Sequence, residues 1–571
     1  MKPTTLIIVG AGMSARLGLP TTQKINDIIK ILLDYEHEEK PRLINLRLKE
    51  IENNWPKLLD QVAQDDLTTT LQILFDGDGA RNNGLAYKSQ QKGIKEYVKK
   101  FCVADTKTAT LQLHLSILTQ TYDLIALKSI IYSLKHVAKY KIDIVDILTA
   151  IQSSIADGIS IPTHEIFPDE KEQTKTIWYC DRKRLEGALN AYKLLVYKIF
   201  KHLLRHIDVS DIGSYEEFYS RIAADHAGLK KLDSVRNASK KENYLSDIGY
   251  LTYNWDPILP FLSMKVNQAL NEKLLQESGN EIWKKVYVDF GVPFAGIALS
   301  GDNVRIPVYS LSEDAAFLIN DFTKTSYLRK DKQDAKSKIL IKIMKLFVPH
   351  GLFNIRICPR CQNGFFIFPE NISKIKLSNI ANLFTSDPIP SEYDQIFIKD
   401  GKFDPILEKY QKGLPDEIDC PSCEHPVYFE HSFMEIQSII KNDKPPAINK
   451  IQFDYADFFS RAEHVVAIGY SFPRDDILNS VFLKNMKIRK DELGKDCKLT
   501  FVGSPDPRYA KQRWYNYQEL GDLNGEANAK LRQIIEVMEG IFKKENMRFN
   551  FFGFPDILKK VDIKNILAWR S

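Results

Sequence analysis

The sequence predicts an α/β chain: a parallel sheet interrupted by a large helical insertion and accompanied by a small four-cysteine module. Three observations predict it. Short β-branched apolar runs end repeatedly in glycine, as strands buried on both faces do. Long segments keep apolar residues three and four apart, the helical period. Two Cys-x-x-Cys pairs stand in the second half of the chain.

The first run is Leu6-Ile7-Ile8-Val9, followed directly by Gly10-Ala11-Gly12-Met13-Ser14 and then Gly18-Leu19-Pro20. A strand that ends in Gly-x-Gly and opens a helix delivers backbone N–H groups to a phosphate, and its glycines let the chain turn tightly. Gly10-x-Gly12-x-x-Ala15 also satisfies the looser dinucleotide fingerprint, so the sheet is expected to be Rossmann-like. A plain tight connection fits the same residues. A dehydrogenase half places an acid at the end of a second strand about 20 residues on. Here Asp27 to Asp34 has helical spacing and no strand break, so the chain is expected to leave the sheet for a helical region.

That region runs to about residue 245. Ile142 to Ala156 and Arg184 to Ile207 are helical, the latter through Leu185, Leu189, Leu194, Leu195, Ile199, Leu203 and Leu204. Asp76-Gly77-Asp78-Gly79 resembles the start of a calcium loop, but Tyr87 stands where the bidentate Glu is needed, so it reads as a surface turn. Lys230 to Lys241 reads as an exposed connection.

Strand character returns at Asp247 to Thr252, which leads into Tyr253-Asn254-Trp255-Asp256-Pro257. A further run precedes His350-Gly351. Two more end in Gly469-Tyr470-Ser471 and in Gly503-Ser504, each a candidate parallel strand opening toward a ligand crevice. Glu526 to Phe542 is amphipathic, and neither an internal repeat nor a low-complexity segment is visible.

Cys358-Pro359-Arg360-Cys361 and Cys420-Pro421-Ser422-Cys423 are two knuckles of the kind that wrap a tetrahedral Zn²⁺. Their separation exceeds that of a compact ribbon, and two buried pairs or redox dithiols are the other readings. Four protein ligands leave no open position, so the zinc is expected to be structural.

Composition sets the class. At 571 residues, 44% hydrophobic and 27% charged, the chain is long enough for several domains of ordinary globular protein. A net charge of +5 implies no nucleic-acid coat, and no apolar stretch approaches a membrane span of ~20 residues. Seven cysteines, an odd number with four at knuckle spacing, fit a reducing compartment. The N-terminus shows no basic region followed by an apolar core and cleavage site, so the expected location is cytoplasmic.

The order of these pieces resembles the sirtuin family: Gly-Ala-Gly-x-Ser, Gly-Leu-Pro, Thr-Tyr-Asn-Trp-Asp, Pro-His-Gly, two Cys-x-x-Cys pairs, and Ile-Gly-Tyr-Ser. The resemblance implies an NAD-binding domain split over 1–26, 246–350 and 430–510. It further implies a zinc module at 351–429, whereas the helical insertion at 27–245 and the C-terminal helical segment at 511–571 are expected from the apolar spacing. It implies that Gly10, Ala11, Gly12 and Ser14 form the phosphate-binding turn. By the same resemblance Asn254 and Asp256 face the nicotinamide ribose and carboxamide, and His350 is the general base. Gly469 and Ser471 contact phosphate and adenosine ribose, and Cys358, Cys361, Cys420 and Cys423 hold zinc. Read from the residues alone, Asn254 caps a turn, Asp256 caps the next helix and His350 is a loop histidine.

Departures from the family pattern narrow the implication. Thr21-Thr22-Gln23 stands where protein deacylases have Asp-Phe-Arg, and Asn-Trp-Asp is closer to the Asn-Tyr-Asp of bacterial sirtuin-like proteins. Those relatives are NAD-consuming effectors of antiphage defence. The resemblance therefore implies an NAD⁺ hydrolase with NAD as substrate, working as a homo-oligomer or beside a defence partner such as an ATPase. An NAD-dependent deacylase and a non-catalytic nucleotide sensor are the alternatives.

Overall fold

The computed structural model describes residues 4–20, 25–29, 120–137, 144–164, 177–205, 212–227, 248–277, 282–290, 294–297, 307–308, 338–369, 418–435, 444–472, 477–509, 513–521 and 529–567. Asp76 to Gly79, Lys230 to Lys241 and Thr21 to Gln23 lie outside the described residues.

The chain opens with β1 (Thr5–Val9) and the one-turn helix α1 (Ala11–Ser14). Next come α2 (Leu124–Val137), α3 (Ile144–Asp157), the hairpin β2 (Ile161–His164) and β3 (Ile177–Cys180), α4 (Arg182–Arg205) and α5 (Ile212–Ala227). The sheet resumes with β4 (Ile248–Thr252), followed by α6 (Ile258–Glu277), β5 (Ile282–Asp289), β6 (Phe294–Ile297), β7 (Pro307–Val308) and β8 (Lys338–Phe347). Then follow β9 (Gly351–Ile357), β10 (Gly364–Pro369), β11 (Ile418–Asp419), β12 (Pro426–Val427) and β13 (Ser432–Met434). The last third holds α7 (Pro446–Arg461), β14 (His464–Ile468), α8 (Ile477–Glu492), β15 (Lys498–Val502) and β16 (Tyr515–Asn516). It closes with α9 (Ala529–Glu539), β17 (Met547–Asn550), α10 (Ile557–Lys560) and α11 (Ile563–Leu567). Between β1 and β4 the described elements are thus helical apart from one hairpin, as the 3.6-residue spacing predicts.

Eight strands form the main sheet in the order β16-β17-β15-β14-β1-β4-β8-β5. Neighbours pair in parallel throughout except β16, which runs antiparallel to β17 at the edge. From β1 the chain adds β4, β5 and β8 on one side, then returns to add β14, β15 and β17 on the other. The direction of growth therefore reverses at β1. In open parallel sheets a crevice forms at that point, outside the carboxyl ends of the strands.

Alternation along the strands explains the layers. Leu6 and Ile8 of β1 share a core with Val465, Ala467, Leu499 and Phe501, covered by Tyr455, Phe458 and Phe459 of α7 and by Ile534, Ile535 and Met538 of α9. Ile7 and Val9 face the opposite core, with Phe261 and Leu262 of α6, Tyr215 and Phe218 of α5, and Ile563 and Ile566 of α11. A strand buried on both faces needs a continuous apolar run, and β1, β4 and β14 are buried at every position.

The five-stranded second sheet, ordered β13-β9-β10-β6-β7, carries the first cysteine knuckle between β9 and β10. The second knuckle joins β11 to β12. Strand β9 starts one residue after His350 and ends one residue before Cys358, so a single strand links the end of β8 to the cysteines.

A buried polar network ties α11 to the sheet. His464 donates its Nδ1–H to the Leu567 carbonyl at 2.9 Å, and the Thr500 hydroxyl lies 2.8 Å from Nε2. Arg548 Nε donates to that hydroxyl oxygen at 2.8 Å, which leaves the Thr500 proton for His464. Burial, aided by the Arg548 charge, pushes His464 down to about 3, so it stays neutral in the fold. The unfolded chain takes up this proton below an ordinary histidine pKa of ~6.5, so the stabilisation is present above that pH and is lost as pH falls. Thermal melts of the parent should lose stability from pH 7 to pH 5 more steeply than those of His464→Gln. Equal slopes would contradict the network.

Candidate functional site

The carboxyl ends of β14, β1, β4 and β8 lie side by side, because Val9 is in register with both Ile468 and Thr252, and Leu251 with Phe347. Every residue that the sequence singles out for nucleotide chemistry follows one of these four ends. Gly469 and Ser471 follow β14, Gly10 to Ser14 follow β1, Asn254 and Asp256 follow β4, and His350 follows β8.

Two of the loops meet backbone to backbone. The Gly10 N–H donates to the Ile468 carbonyl at 2.9 Å, and the Gly12 N–H donates to the Gly469 carbonyl at 3.0 Å. A Cβ on Gly10 would lie 2.3 Å from the Gly469 oxygen, one on Gly12 2.9 Å from the same atom, and one on Gly469 2.3 Å from the Met13 nitrogen. Gly469 also has φ of +60°, in the left-handed region. These glycines are therefore required by contact between loops. In a phosphate-binding turn a glycine at position 12 leaves room at its Cα for the pyrophosphate. In the fold, that room at the Cα is filled by Gly469, and two of the turn's N–H groups close the loops.

Ser14 ends α1 with its side chain buried, and its Oγ donates to Asp256 Oδ2 at 3.0 Å. Asp256 Oδ1 accepts the Ile258 N–H at 3.1 Å, capping α6, and Asn254 adds a side-chain hydrogen bond. Burial pushes the Asp256 carboxyl up to about 6, against the pull of the three donors. Asp256 is only 5% exposed, whereas Asn254 is half-buried. The Asn254 N–H bonds back to Thr252 Oγ1 at 3.0 Å, which fixes the turn after β4. Helix α5 reaches the same place: the Tyr215 hydroxyl donates to the Met13 carbonyl, and the Tyr219 hydroxyl lies 3.7 Å from Met13 Sδ.

His350 is half-buried, 4.7 Å from the Tyr253 ring between centroids. Tyr253 in turn stacks on Tyr470 at 5.5 Å and shares a 2.8 Å hydroxyl contact with Tyr455. Glu435 places Oε2 3.6 Å from His350 Nε2. Ser471 is exposed beside Tyr470. The structure thus joins Ser14, Asn254 and Asp256 by hydrogen bonds and connects His350 to them through Tyr253, the neighbour of Asn254. Tyr253 and Tyr470 stood inside the motifs without being singled out. Glu435 carried no local signal, since only the pairing of β13 with β9 brings it to His350.

The four knuckle cysteines converge, all sulfurs lying within 4.8 Å of one another. Cys358 Sγ is 3.6 Å from Cys423 Sγ, and Cys361 Sγ is 3.6 Å from Cys420 Sγ. These separations are far longer than the ~2.05 Å of a disulfide and fit four thiolates around one ion. The knuckles repeat one another. Gln362 and Glu424 both adopt positive φ, and their N–H groups donate at 2.9 Å to the carbonyls of Cys358 and Cys420. Among the described residues this is the one grouping of three or more Cys, His, Asp or Glu placed to hold a metal.

No family model, curated protein or solved structure matches the chain. Among the described residues no helix is long and apolar enough to cross a membrane.

The loop closure is testable by stability. Gly469→Ala combines a left-handed φ with a backbone clash and should cost on the order of 2–6 kcal/mol. Gly18→Ala, also at positive φ but with open space around the Cβ, should cost less. Denaturant midpoints measure both, and equal small shifts would contradict the closure.

Proposed function

We propose that this chain is a sirtuin-like NAD⁺ glycohydrolase with a Rossmann-like nucleotide-binding sheet, cleaving the nicotinamide–ribose bond to give ADP-ribose and nicotinamide. The observation that carries the reading is positional. Residues drawn from four distant stretches of sequence line the carboxyl ends of four adjacent parallel strands, at the strand where the sheet changes its direction of growth. That is where open α/β sheets bind ligands.

In this reading the turn from Gly10 to Ser14 receives the pyrophosphate at its accessible edge, and Ser471 lies on the adenosine side. Asn254 orients the ribose hydroxyls and the attacking water. His350 takes a proton from the hydroxyl or water. Asp256, buried behind Asn254 with both oxygens engaged, holds Asn254 and Ser14 in position; this replaces the direct grip on the carboxamide that the resemblance implies. The balance is that of hydrolysis. The water oxygen bonds to the anomeric carbon, and the glycosidic C–N bond breaks with its electron pair going to nicotinamide. One proton leaves through His350 to solvent. Holding these groups in place is where most of the rate advantage would arise.

The cysteine tetrad is proposed to hold one structural zinc, since its four thiolates complete a tetrahedron and leave no position for chemistry. By the same resemblance the protein is an antiphage effector that depletes NAD in a homo-oligomer or beside a defence partner such as an ATPase, and its cysteine usage fits the cytoplasm. Its apparent activity then depends on assembly.

The test is chromatography of products after incubating the assembled protein with NAD. The parent should release ADP-ribose and nicotinamide. His350→Ala should lower turnover by roughly 10²–10⁴-fold, and Asn254→Ala by at least as much. Both variants should keep their fold and about one zinc per chain. O-acyl-ADP-ribose formed only with an acyl-lysine peptide would make the protein a deacylase. NAD binding without turnover in every assembly state would make it a sensor. Full activity of Asn254→Ala would overturn the mechanism.

A further inference from the structure

Helices α7 and α8 present apolar side chains to solvent on their outer face. Phe453 of α7 is 77% exposed, and Val481 and Ile488 of α8 are 44% and 56% exposed. The inner faces are ordinary core, with Tyr455 and Phe458 on α7 and Leu483 and Met486 on α8. The two helices run side by side in the same direction. The Tyr455 ring meets Phe482 edge-on at 5.1 Å, and Arg489 Nη1 donates to Ser460 Oγ at 2.7 Å. These two contacts fix the register, so Phe453 is level with Val481 and Asp457 with Lys484. Phe453 and Ser460 are seven positions apart, on the side of α7 that Arg489 reaches. Val481 and Ile488, also seven apart, immediately precede the two residues of α8 that touch α7. The exposed apolar groups therefore straddle the outer groove between the helices, with exposed Asp457 and Lys484 at its rim. Apolar groups gathered in this way and rimmed by charge mark an interaction surface.

We propose that this face joins two copies of the chain about a two-fold axis parallel to α7 and α8. Such an axis preserves the levels along the helices and lays α7 of each copy over α8 of the other. Phe453 of each copy then meets Val481 of the other, and Asp457 of each meets Lys484 of the other. The charges select this occupant: an acid on one helix, level with a base on its neighbour, is complementary to the same surface once the helices exchange places. An axis across the helices would lay α7 on α7 and α8 on α8, and the match would be lost. Arg461 holds the Asp457 carboxylate at 2.9 Å from within α7, and a carboxylate can accept from a second cation as well. The link to activity rests on the proposed dependence of NAD turnover on assembly, and the inference adds where assembly occurs. Helix α7 also borders the crevice from its inner side. Its Tyr455 hydroxyl lies 2.8 Å from that of Tyr253, and Gln452 Nε2 donates at 3.4 Å to the carbonyl of Pro349, the residue before His350. Pairing on the outer side of α7 thus bears on the loops after β4 and β8.

The experiment is sedimentation of the full-length protein over a range of concentrations. The parent should sediment as a dimer, or as a larger assembly built from dimers. Phe453→Asp should raise the dissociation constant by about 30-fold or more, the scale of an aromatic anchor at an interface, with its melting temperature unchanged because the side chain is exposed. Val481→Glu should act in the same direction and decides the matter if Phe453→Asp fails to fold. Lys484→Glu and Asp457→Lys should each weaken self-association, since each sets like charges against one another across the axis. Mixed together, those two variants should pair with each other in preference to themselves, because the mixed dimer regains both opposite-charge contacts. A parent that stays monomeric would assign the face to a different partner and overturn the proposal. So would an assembly indifferent to both Phe453→Asp and Val481→Glu, or a mixture that pairs no better than its components. Turnover of NAD per chain should fall as Phe453→Asp dissociates. A parent that dimerises through this face yet never turns over NAD would overturn the hydrolase reading and leave the interface standing.

Discussion

The contact between Gly469 and the turn at Gly10 and Gly12 is the constraint on which the candidate site depends. It is a contact between backbones, so no side-chain rearrangement can relieve a Cβ placed there. It seals the ends of β1 and β14 at the point where the sheet reverses its growth. From there the geometry is passed along short links. Met13 and Ser14 follow the turn, Ser14 bonds to Asp256, and Asp256 caps α6 while bonding to Asn254. On the other side Tyr470 follows Gly469 and stacks on Tyr253, which packs against His350. Loops from four strands are thereby fixed by few contacts, nearly all between neighbouring strand ends.

His350 is held from a second direction. Strand β9 is seven residues long and runs from Gly351 to the residue before Cys358. At a rise of ~3.3 Å per residue it sets Cys358 roughly 25 Å from the histidine. The four-cysteine cluster, placed to hold a metal, stands at one end of this strand, and Glu435 lies beside the residue at the other. One strand thus couples the cysteine cluster to the position of His350.

Much of this architecture was legible because buried parallel strands leave a dense signature. The runs ending in Gly10, Thr252, Gly469 and Gly503 are strands, and the helices expected at Ile142 to Ala156 and Arg184 to Ile207 are found at Ile144–Asp157 and Arg182–Arg205. The two knuckles meet, as their matched spacing suggests. What local pattern cannot carry is pairing between distant stretches. Nothing near Glu435 marks it, because its meaning comes from the register of β13 on β9. The sheet that holds the first knuckle also takes β6, β7 and β13, two-to-four-residue strands too short to show a period. The glycine turn is the sharper lesson. Its residues were conspicuous, yet the need for Gly12 lies in Gly469, more than four hundred residues away in sequence.

The central claim is that the crevice at the carboxyl ends of β14, β1, β4 and β8 receives NAD with its nicotinamide ribose at Asn254 and His350. A crystal structure of the assembled His350→Ala variant with NAD tests it most directly. The account predicts the pyrophosphate along the turn from Gly10 to Ser14 and the nicotinamide ribose between Asn254 and position 350. NAD bound elsewhere on the chain, or a crevice that stays without it at saturating concentration, would contradict the account.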